Sequence, residues 1–87
     1  MTSPRRFVFD DELTIVTVAE HRERLLAALR DASGVRVELS GISDLDTAGL
    51  QVLLLARDEG ARQHVPVEFA DPSPAVAEVL ALTRLEL

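Results

Sequence analysis

The chain has 87 residues, 9 basic against 15 acidic, for a net charge of -6, with 47% hydrophobic residues and no cysteine. That size holds one hydrophobic core, so residues 1–87 read as a single domain without room for a separate catalytic one. The acidic balance repels a polyanionic duplex and so excludes nucleic acid as a partner, while the absence of lysine and cysteine excludes Schiff-base chemistry, disulfides and thiolate sites.

Phe7-Val8-Phe9 and Leu13-Thr14-Ile15 flank the acidic stretch Asp10-Asp11-Glu12 and read as two short strands joined by a tight turn. Thr17 with Glu20 fits a capping box, and Val18, Leu25, Leu26 and Leu29 recur at helical spacing, predicting helix one from Val18 to Arg30. Asp31-Ala32-Ser33-Gly34 breaks the pattern, with Gly34 suited to the left-handed position after a helix. Val35, Val37 and Leu39 alternate with Arg36, Glu38 and Ser40, as in a half-buried strand.

After a loop from Gly41 to Leu45, the leucine-rich run Thr47 to Gly60 predicts helix two, with Leu50, Leu53 and Leu54 on one stripe and Gly60 able to end it. Val67 and Phe69 alternate with Glu68 after Pro66, which is acceptable at a strand start. Ser73 as N-cap with Pro74 in the first turn opens helix three, whose apolar positions are Val76, Val79, Leu80 and Thr83. The order is β-β-α-β-α-β-α, an α/β fold. Right-handed crossovers place the later strands parallel, so the expectation is a mixed four-stranded sheet with three helices mainly on one face and the other face wet.

Polar residues concentrate in Ser43-Asp44-Leu45-Asp46-Thr47-Ala48, where a strand leads into helix two. Open α/β sheets place sites beyond the carboxyl ends of strands, and a helix N-terminus offers unpaired N–H groups. The plain alternative is that Asp46 or Thr47 only caps the helix. Asp44-Leu45-Asp46 resembles the aspartate pair of haloacid-dehalogenase phosphatases, but that chemistry needs a lysine the chain lacks. The P-loop, dinucleotide, G-x-S-x-G and H-E-x-x-H motifs are missing too, so no catalytic residue, metal or cofactor is expected. Ala48, Gln51, Val52 and Leu55 form a second stripe beside Thr47, readable as a partner-docking face or as the seat of a neighbouring helix. His21 and His64 read as ordinary surface residues, and Arg57, Asp58, Glu59 and Arg62 as a solvated helix end. No stretch approaches a membrane span or a secretion signal, so a cytoplasmic location without membrane insertion is expected.

The run Val37-Glu38-Leu39-Ser40-Gly41-Ile42-Ser43-Asp44-Leu45-Asp46-Thr47-Ala48-Gly49-Leu50, followed by Ser73-Pro74-Ala75-Val76, resembles the STAS domain of anti-sigma factor antagonists. The likeness covers about Phe7 to Leu85. It implies a non-enzymatic regulatory module that docks a protein partner, with Thr47 as the residue a partner kinase phosphorylates. The contact surface it implies comprises Ser43, Asp44, Asp46, Thr47, Ala48, Gln51, Val52 and Leu55. The family has three branches in which the partner differs: an anti-sigma factor kinase, the ATPase of a phospholipid ABC transporter (the MlaB-like branch) and a chemotaxis kinase. The sequence leaves these partners open.

Overall fold

The computed structural model describes residues 3–87. Its elements are β1 (Arg5–Leu13), α1 (Val18–Leu29), β2 (Val35–Leu45), α2 (Thr47–Arg62), β3 (Val67–Ala70) and α3 (Pro74–Thr83). The sheet has three strands in the order β1-β2-β3, and both pairings are parallel.

The expected hairpin is therefore absent, and with it the fourth strand and the mixed sheet. Phe7, Phe9 and Leu13 are all buried on one strand. Asp11 takes a left-handed conformation (φ 61), but the chain does not reverse there. Instead β2 continues through Gly41 to Leu45, the stretch read as a loop, and gives β1 a parallel partner along its whole length: Asp10 lies opposite Gly41 and Leu13 opposite Leu45. Burial of Ile42 and Leu45 holds this extension down. Two irregularities in the pairing each insert an extra residue on β2, since Val8 to Asp10 is matched by Glu38 to Gly41 and Asp11 to Glu12 by Ile42 to Asp44.

Alternation along the strands sorts the two faces. Phe7, Phe9, Val35, Val37 and Leu39 turn inward and pack with Leu25 and Leu29 of α1, Val52, Leu53 and Ala56 of α2 and Val76 of α3. Each such large side chain contributes roughly 1.5–3 kcal/mol by leaving water. The opposite face carries charge: Arg6 grips Glu38 at 2.7 Å and Arg36 meets Glu68 at 2.6 Å. The Arg6 hydrogen bond holds the Glu38 carboxyl below its usual range. This face is wet, as expected.

Helix ends depart from the reading in detail. Thr17 occupies the N-cap of α1 but makes no capping bond. Its hydroxyl donates back to the Glu12 carbonyl at 3.0 Å and accepts from the Thr14 N–H at 3.1 Å, so no capping box forms. The left-handed residues after α1 and α2 are Asp31 (φ 58) and His64 (φ 59), and none of the glycines has positive φ. Gly60 lies buried within α2, where an added Cβ would meet the Val67 side chain and come within 2.8 Å of the Val65 carbonyl. α3 starts as expected, with Ser73 accepting from the Val76 N–H at 3.2 Å and Pro74 in its first turn.

Candidate functional site

The strand-to-helix junction at the carboxyl end of β2 is organised by Asp46. Its Oδ1 accepts from the Gly49 N–H at 2.8 Å, capping α2, and its Oδ2 accepts from the Ile15 N–H at 2.9 Å, across in the loop between β1 and α1. These backbone donors, Ile15 first and Gly49 next, favour the charged form and hold the carboxyl below its usual range. Asp46 thus spends both oxygens inside the protein. It positions its neighbours.

Gly49 makes the same junction from a second side. A Cβ there would run into the Leu13 carbonyl and within 2.7 Å of Leu45 Cδ1. Only a bare Cα lets the first turn of α2 seat against the end of β1. The loop itself is shaped by Thr14, whose carbonyl accepts from the N–H groups of Thr17 and Val18 at 2.9 and 2.8 Å, and whose hydroxyl accepts from Val16 N–H at 3.3 Å.

What the junction presents outward differs from residue to residue. Thr47, the first residue of α2, is exposed, as are Ser43, Asp44 and Gln51, while Ala48 and Leu55 are half-buried. Val52 is only 5% exposed and belongs to the core, so the second stripe of α2 is split and Val52 faces away from any partner. Ser43 also lines an open groove of about 500 Å³ with Asp10, Asp11, Glu12, Thr17 and His21. His21 is half-buried rather than freely exposed, its ring edge-on to Phe9 at 5.3 Å.

Two residues beside this surface were missed by the sequence reading. Ile15 is 71% and Val16 81% exposed, and both sit in the loop that Asp46 ties to α2. The sequence pattern places Ile15 in a hairpin strand. No local signal marks this loop, since the β-branched run Thr14 to Thr17 has strand composition. A second cavity, about 290 Å³ between Pro4, Gly34 and Pro66, lies at the amino ends of the strands, away from the junction.

Chemically the surface offers two exposed hydroxyls, of Ser43 and Thr47, exposed carboxylates and two bare aliphatic side chains. Among the described residues there is no group of three or more His, Cys, Asp or Glu side chains placed to hold a metal ion, and no helix is long and apolar enough to cross a membrane. Such a surface is suited to contact with another macromolecule.

Comparison with known proteins agrees with that class. The family model described as Mlab, STAS domain matches residues 9–86. The chain belongs to the MlaB-type STAS domain family, whose members are in general protein-interaction modules. No curated protein matches the chain.

Proposed function

We propose that the protein is a non-enzymatic docking module that binds a protein partner through the exposed Thr47 at the start of α2 together with Ile15 and Val16 of the adjoining loop. The observation that carries this reading is the exposed aliphatic pair, 71% and 81% accessible, tethered by Asp46 next to a free hydroxyl. Exposed aliphatic side chains beside a polar, well-ordered rim are the usual make-up of a contact surface. Ser43, Asp44, Ala48, Gln51 and Leu55 form its surround, and Asp46 shapes it from within.

The family match favours the MlaB-like branch, in which the partner is the ATPase subunit of a phospholipid-transport system and Thr47 is a constitutive contact. A second reading has its own support. Thr47 is exposed on the first turn of a helix, where an added phosphate meets no steric obstacle and a favourable dipole. In that reading a partner kinase of the anti-sigma or chemotaxis type modifies Thr47 and is thereby released.

The experiment is affinity capture from the source cells with wild type, Thr47→Glu and Ile15→Asp/Val16→Asp proteins. The expected result is a partner held by wild type and lost, by at least tenfold in affinity, with both variants while their circular dichroism stays unchanged. Undiminished capture by both folded variants overturns the proposed surface. Incubation of the captured complex with ATP then separates the two readings. A complex without phosphate on Thr47 supports the constitutive contact, and phosphate that disappears in Thr47→Val supports the switch.

A further inference from the structure

We propose that a second copy of this chain pairs with the outer edge of β1, antiparallel and about a two-fold axis at Val8, to make one continuous six-stranded sheet. β1 is the end strand of the sheet, and no described strand pairs with its outer edge. Both irregularities of its inner pairing add their extra residue on β2, so β1 itself runs regularly from Arg5 to Asp10. An unpaired strand of this kind is a template for another strand.

The occupant follows from charge. β1 reads Arg5-Arg6-Phe7-Val8-Phe9-Asp10-Asp11-Glu12-Leu13, with cations at one end and anions at the other. Most edge strands use charge to repel a copy of themselves. Here a two-fold axis at Val8 sets Arg6 opposite Asp10 of the second copy and Phe7 opposite Phe9, each pair occurring twice by symmetry. Directly opposed residues of antiparallel strands share a face. On the wet face Arg6, whose Nε and Nη2 hold Glu38 of its own chain, meets Asp10 with its remaining Nη1, and the two phenylalanines, already packed edge-on at 4.9 Å within each chain, continue the apolar face across the axis. Asp10, Asp11 and Glu12 form no ion pair among the described residues, so their carboxylates are available to the incoming guanidinium groups.

The shared edge is short, and the dimer is accordingly weak, with a dissociation constant on the order of 100 µM. Sedimentation equilibrium of the full chain between about 10 µM and 1 mM tests it, with circular dichroism to check the fold of each variant. Wild type is expected to dimerise, with dimerisation weakening several-fold from low to high salt. Arg6→Asp and Asp10→Arg each place like charges across the axis and are expected to be monomeric alone. Their equimolar mixture pairs every acidic position with a basic one and is expected to restore the dimer. Should either charge reversal fail to fold, Asp10→Asn serves in its place, expected to weaken dimerisation several-fold and flatten its salt dependence. A wild type that stays monomeric at 1 mM overturns the proposal. So does a dimer indifferent to these changes, whether or not it is lost in Leu82→Glu, which tests the exposed Leu82 of α3 as the contact instead.

Discussion

Asp46 is where a single side chain does the most to build this surface. Its carboxylate joins two backbone segments that are 31 and 3 residues away in sequence, through Ile15 and Gly49. Asp46→Ala removes both acceptors and is expected to lower the melting temperature by roughly 5 °C, read by thermal denaturation. The difference depends on pH in a defined direction. The folded-state value lies below the ordinary 3.8, so the ionised group's contribution is complete above that value. It is lost as the pH falls through the depressed folded value. Melts of wild type and variant should therefore differ most near neutrality and converge in acid. The sequence made Asp46 visible as a candidate cap alongside Thr47, because Asp and Thr ahead of a helical run are preferred N-cap residues. Its second bond, to Ile15, was not legible, since it depends on how a loop 31 residues away is folded.

At the scale of elements, the instructive positions are glycines. Gly34 and Gly60 were read as residues that end helices, on the premise that glycine marks left-handed backbone. Asp31 and His64 take those conformations, while Gly60 and Gly49 are needed where a helix touches a strand end. A glycine read in isolation does not reveal whether it serves a bend or a close approach. Gly49→Ala is the direct check: a methyl group against the Leu13 carbonyl must push α2 off β1, at an expected cost of about 1–3 kcal/mol in urea unfolding. Unchanged stability would show that α2 does not seat this closely on β1. The hairpin failed for a related reason. Asp10-Asp11-Glu12 has turn composition, but the burial of Ile42 and Leu45 draws β2 onward and offers β1 a partner that local composition does not encode.

For the molecule as a whole, helix and strand periodicity carried most of the architecture. The three helices, the two later strands and the single core match their periodic apolar positions, and the alternation Val35 to Ser40 correctly implied one wet face. Leu53, wholly buried at the centre of that core, is the expected point of failure. Leu53→Asp forces a carboxylate into an apolar site at a cost of several kcal/mol, against a total stability of about 5–15 for a domain of this kind. Circular dichroism is expected to show no cooperative melt at the wild-type temperature. Strand count was less legible, because an edge strand and half of a hairpin have the same alternating pattern.

The parallel sheet also governs how the chain can assemble. Arg5 finds its partner Val35 only 30 positions later, and Val35 in turn waits until Val67. Every strand pairing among the described residues therefore closes a long loop before it returns any enthalpy, and none of these pairings is a hairpin that could act as a local seed. Folding is expected to be slower than in a helical bundle of the same length. During synthesis at about 5–20 residues per second, β1 leaves the ribosome seconds before β2 exists to cover it. In that interval its phenylalanines stand bare, guarded only by the arginines before them and the acids behind.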